Sequence, residues 1–107
     1  MKLWFIEILN KQNDLKLTIY EDGSVYGKER GLKYGVLVSS AMEELFSIIN
    51  ENMYMFRKLK YYKENVNPFI LKVNDTCKQH RTIKIVGWSQ MPRIMKVVSN
   101  KSNYKAV

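Results

Sequence analysis

Between Ser40 and Lys60 the residues Met42, Leu45, Phe46, Ile49, Met53 and Phe56 recur at intervals of three and four. That spacing predicts one long helix with all six side chains on a single stripe, so the helix must lie on an apolar layer. Ser40 and Glu43 have the S-x-x-E spacing of a capping box at its start. Arg57, Lys58 and Lys60 gather at its end, where the helix dipole favours cations. Burying each stripe residue contributes about 1.5–3 kcal/mol, against a net stability of about 5–15 kcal/mol for a whole domain. What forms the opposing layer therefore decides the fold.

The rest of the chain supplies strands. In Met1 to Leu9, Trp4, Ile6 and Ile8 fall on one side, with Leu3, Phe5, Glu7 and Leu9 on the other. Lys11 to Asp14 is turn composition, and Leu15 to Tyr20 alternates again. Asp22-Gly23 then predicts a two-residue hairpin turn, because both residues tolerate positive φ. Closing that turn sets Ile19 opposite Tyr26, Leu17 opposite Lys28, Tyr20 opposite Val25 and Lys16 opposite Glu29. After Gly31, Lys33 to Val38 either adds a strand or leads into the helix. Tyr61 to Asn67 reads as a polar connection, and Pro68 suits a strand start. Phe69, Leu71 and Val73 alternate, as do Ile83, Ile85 and Gly87, which predicts a second hairpin with Leu71 opposite Ile85. Ser89 stands as a cap before Met91, Ile94, Met95 and Val98, whose spacing predicts a short second helix. The four methionines Met42, Met53, Met91 and Met95 fall on the helical stripes and read as core.

The order β-β-β-α-β-β-α predicts a two-layer α+β sandwich. An antiparallel sheet of four to five strands carries one long and one short helix on one face. Residues 1–100 read as a single domain and 101–107 as a flexible tail. The run Leu3-Trp4-Phe5-Ile6 is interrupted by Glu7, too short for a signal-peptide core or a bilayer span. The single cysteine excludes an internal disulfide, and with one histidine it makes no zinc site unaided. These features predict a cytoplasmic protein with no membrane contact, no metal and no cofactor.

A formal charge of +8 points toward an anionic partner. Abundant lysine, asparagine, isoleucine and tyrosine also follow from an A+T-rich coding sequence, and lysine is a poorer bidentate phosphate reader than arginine. Three constellations compete for a role. The sheet face turned away from the helices is expected to display Phe5, Tyr20, Val25, Ile70 and Val86 beside Lys72 and Lys84, these two directly opposite each other. Like charges face to face beside an apolar patch suggest a covered surface. The cluster Arg57, Lys58, Lys60, Tyr61, Tyr62 and Lys63 has the cation-plus-aromatic composition of single-strand binders, although cations also suit a helix end and tyrosines a core edge. Asp75, Cys77 and His80 sit on the expected tip of the second hairpin, which lacks the enclosed pocket that nucleophilic or metal chemistry needs.

The order of hairpin, helix, hairpin and helix with an Asp-Gly turn resembles that of small bacterial or phage-borne domains, among them protease-inhibitor proteins of the emfourin type. The likeness is one of topology and carries over no site residue. The sequence thus points away from an enzyme and toward a small protein-binding module, an inhibitor or host-interaction protein, acting through the open sheet face. The alternative is a nucleic-acid binder using Lys72, Lys84 and the Arg57–Lys63 cluster. A homodimer sealed across the same face would take away the main candidate site.

Overall fold

A computed structural model of the chain describes residues 4–27, 33–75 and 81–106. The elements run β1 (Trp4–Asn10), β2 (Leu15–Ile19), β3 (Ser24–Tyr26), β4 (Lys33–Val36), α1 (Ser39–Lys58), β5 (Tyr61–Lys63), β6 (Phe69–Asp75), β7 (Arg81–Val86) and α2 (Met91–Ser99), with a 3-10 turn over Lys101–Asn103. The architecture is α+β. Among the described residues the strands form one mixed sheet in the order β4-β3-β2-β1-β6-β7-β5. Seven strands replace the expected four or five, and the sheet is not wholly antiparallel. Lys33–Val36 does add a strand, and Tyr61–Lys63 pairs in parallel with β7 instead of acting as a polar connection.

Alternation decides which side of each strand is buried. Ile6, Ile8, Leu17, Ile19, Leu71, Val73, Ile83 and Ile85 turn inward, where they meet Leu45, Ile48, Ile49 and Phe56 of α1 and Met91, Ile94, Val97 and Val98 of α2. The α1 stripe is buried as its spacing predicts, with Ala41 and Ile48 added and Phe46 only half-buried. Met42, Met53 and Met91 are core, and Met95 packs at its margin. One end is closed by rings: Phe56 stands edge-on to buried Trp88 at 5.1 Å and tilted against Tyr62 at 5.5 Å. Such contacts contribute about 0.5–1.5 kcal/mol beyond the area they bury.

The β2–β3 turn differs from the expected one in a way that moves side chains between faces. Gly23 N–H donates to the Tyr20 carbonyl at 3.0 Å and Tyr20 N–H to the Ser24 carbonyl at 2.9 Å, so the loop holds three residues, Glu21, Asp22 and Gly23. Gly23 takes φ +91°, and the Asp22 carboxylate accepts from Ser24 N–H at 2.9 Å. A type I turn closed by a left-handed glycine is the usual three-residue hairpin connection, and it slips the register by one. Ile19 therefore faces Val25, and Thr18 faces Tyr26. Val25, expected on the open face, is fully buried. The expected pairs involving Lys28 and Glu29, and the tip bearing Cys77 and His80, lie outside the described residues.

Both helix starts also differ from expectation. Helix α1 begins one residue earlier, at Ser39, with Val38 as its cap residue and no side-chain capping bond, so Ser40 and Glu43 form no capping box. It ends at Lys58, and Lys60 lies beyond it. Helix α2 starts after Gln90, with a proline in its first turn, and Ser89 does not cap it. Residues 101–106, expected to fray, are held in place instead. Asn100 accepts from Ser102 N–H at 3.1 Å, Asn103 donates to the Val97 carbonyl at 2.8 Å, and Lys105 N–H donates to the Val36 carbonyl at 2.8 Å. Tyr104 bridges to Leu37 and donates its hydroxyl to the Val98 carbonyl at 2.6 Å.

Candidate interaction face

The outward positions of the strands line up in three rows. In the first, Tyr20, one residue past β2, is followed by Phe5, Asn74 and Thr82 on β1, β6 and β7: the Phe5 and Tyr20 ring centroids lie 5.6 Å apart, Phe5 is opposite Asn74, and Thr82 donates to Asn74 at 2.6 Å. The second row reads Tyr26, Thr18, Glu7, Lys72, Lys84, Tyr61, each opposite the next. The third reads Lys16, Leu9, Ile70, Val86, Lys63. An aliphatic stripe on three central strands is thus bracketed by a lysine at each end, below a row in which Lys72 and Lys84 face one another. Both helices pack on the opposite side of the sheet.

Ile70, Lys72, Lys84 and Val86 stand where alternation in the second hairpin puts them, with Lys72 opposite Lys84 and Ile70 opposite Val86. Phe5 is half-buried and Tyr20 exposed on the same side. Val25 leaves this face, and Tyr26 joins it, standing edge-on to Tyr20 at 5.6 Å. Glu7, Leu9, Thr18 and Lys16 complete the surface. Their parity is readable in β1 and β2, and Glu7 matters most because it sets a carboxylate directly opposite Lys72.

The basic cluster is divided by the unexpected strand. Position 57 lies in the last turn of α1, and Lys58 is exposed, its ammonium 4.3 Å from the Tyr54 ring centre. Lys60 is exposed in the link, where its carbonyl accepts from Lys84 N–H at 3.2 Å. Tyr61 and Lys63 point to the open face, with the Lys84 ammonium 5.9 Å from the Tyr61 ring centre. Tyr62, between them, turns inward onto Phe56 and does not share the open face with them.

The hydroxyl of Tyr62 donates to Glu64, whose other carboxylate oxygen accepts from Ser89 N–H at 2.7 Å. The tyrosine bond, assisted by the Ser89 contacts and opposed by partial burial, holds the Glu64 carboxyl below its ordinary range. The same bond raises the Tyr62 phenol. This pair ties β5 to the turn before α2.

Among the described residues no group of three or more histidine, cysteine, aspartate or glutamate side chains is placed to hold a metal ion. Among the described side chains the open face offers Lys16, Lys63, Lys72 and Lys84, with Glu7, four aromatic rings and an aliphatic stripe, a set suited to contact over an area. Searches of protein-family models, curated proteins and solved structures find no match to this chain. Among the described residues no helix is long and apolar enough to cross a membrane.

Proposed function

We propose that this chain is a small non-enzymatic module that binds an acidic protein partner through the open face of its sheet. The observation that carries the reading is the stripe Leu9, Ile70 and Val86 bracketed by Lys16 and Lys63, with Lys72 opposite Lys84 in the next row. Like charges directly opposite on adjacent strands destabilise the free protein slightly, and a partner carboxylate set between them would relieve that cost. A symmetric pair of copies joined on this face would bring lysines against lysines, which favours a different, acidic protein. Its apolar side chains would meet the stripe and its acidic ones the lysines.

A photo-crosslinking residue at Ile70, compared with one at exposed Tyr54 on α1, tests the reading. Adducts with an acidic protein from Ile70 and not Tyr54, abolished by Phe5→Glu, are expected. Equal adducts from both positions would count against it. Size-exclusion chromatography with light scattering checks the free chain, which is expected to be monomeric.

One observation favours a second reading. Tyr61 and Lys63 share the face with Lys72 and Lys84, which gives single-stranded nucleic acid a ring to stack on among cations. That reading predicts a mobility shift with an oligonucleotide that falls steeply with salt. Glu7 in the central row stands against it, since a carboxylate there repels phosphate. No shift at low salt removes it.

A further inference from the structure

On the helix side of the sheet, away from the open face, lies a groove of about 460 Å³ lined by Leu15, Leu17, Met95, Val98, Tyr34 and Tyr104, with Ser99 and Lys101 also on its wall. The groove exists because β3 and β4 are short and the chain beyond α2 folds back. The inward side of the β2 start is roofed by the last turn of α2 and by Tyr104, whose hydroxyl is committed to the Val98 carbonyl. Burial raises the Tyr104 phenol, with proximity to Tyr34 a lesser cause. The volume falls within the range typical of small-ligand sites, and the lining is mostly apolar with a few polar residues among it. Those residues are Tyr34, Ser99, whose hydroxyl donates to the Met95 carbonyl at 2.6 Å, and exposed Lys101.

The geometry points to this groove as a binding site for a free medium-chain aliphatic carboxylate. The chain lies over Leu15, Leu17, Met95 and Val98, and the carboxylate meets Lys101. Methionine suits the role, since its unbranched thioether repacks around chains of different shape. The sign of the head group follows from Lys101, the charged side chain on the groove wall, and from the chain's charge of +8. The site is independent of the sheet-face reading: Lys16, Ile70 and Val86 lie on the far side of the sheet from it.

The test titrates the whole chain with sodium decanoate below its micelle concentration and follows methyl resonances by NMR. Saturable shifts are expected at Leu15, Leu17, Met95 and Val98. Affinity should fall about fourfold for each methylene removed from the buried chain. Lys101→Glu should weaken decanoate about fivefold and leave decanol unchanged. Lys16→Glu makes the same change in net charge on the other face and should have no effect. The inference is overturned by absence of saturable shifts, by shifts at Leu9, Ile70 and Val86 instead, by equal binding of decyltrimethylammonium, or by equal effects of the two lysine reversals.

Discussion

The two faces of this sheet are built from the same strands and differ at every step of the chain. On β6, Leu71 is fully buried while Ile70 and Lys72, its neighbours, stand in partial contact with solvent. On β1, Ile6 and Ile8 are core while Phe5, Glu7 and Leu9 line the outer side. Folding is secured on one face, and the other is left free to carry charge and aromatic surface. Adjacent residues of one strand therefore give separate control of stability and of contact.

The sharpest way to break that comparison is to truncate on both faces. Leu71→Ala should cost about 2–5 kcal/mol in denaturant unfolding. Ile70→Ala, one residue away, should cost well under half of that, because its side chain lies outside the packed layer. Equal losses would mean that the outer face is also core. Next in size is Gly87→Ala. Gly87 holds φ +65°, and an added Cβ would lie 2.7 Å from Asn65 N and 2.9 Å from Val66 N, both backbone atoms that cannot swing aside. A loss of about 1–3 kcal/mol is expected, read as a lowered denaturation midpoint.

Glu64→Gln should cost about 1 kcal/mol at neutral pH by weakening the bonds from Tyr62 and Ser89. Because Glu64 titrates below its ordinary value of 4.5 in the folded chain, its contribution is fully present above that pH and fades as pH falls through the lowered folded value. The variant's unfolding curve should lack that component. Smallest of all, Lys84→Glu replaces a like-charge neighbour of Lys72 by an opposite one and should add a few tenths of a kcal/mol to stability. The same substitution should weaken capture of an acidic partner. Loss of stability instead would show that the two lysines do not repel.

Part of the contrast between faces is legible in the order of residues alone. In β6 and β7 the residues Leu71, Val73, Ile83 and Ile85 recur at every second position, which fixes the buried side of both strands, because a one-residue slip would turn one set outward. In the β2–β3 hairpin the strands are short, and Asp-Gly fits a two-residue or a three-residue loop equally well. The choice falls to Gly23 closing a type I turn, which sends Val25 inward and Tyr26 outward. Strand β5 escapes a reading by pattern for another reason. A three-residue parallel edge strand has no period of its own, and its pairing partner lies some twenty residues further along the chain. The order of the chain after α2 depends on Asn103 and Tyr104 donating to carbonyls of the last turn and on Asn100 accepting from Ser102 N–H, contacts between side chain and backbone that leave no pattern in hydrophobicity. Of the candidate site, Phe5, Tyr20, Ile70, Lys72, Lys84 and Val86 follow from parity, whereas Tyr62 is lost to the core because its neighbours' charge conceals an inward strand position.

The placement of β5 has a kinetic consequence. Its partner, β7, is separated from it along the chain by the whole of β6, so pairing them closes a loop that contains that strand and carries its entropy cost. During synthesis, Tyr61 to Lys63 must wait for residues 84–86 to emerge before this pairing can form. Substitutions at Tyr62 should accordingly hasten unfolding and leave the rate of folding almost untouched.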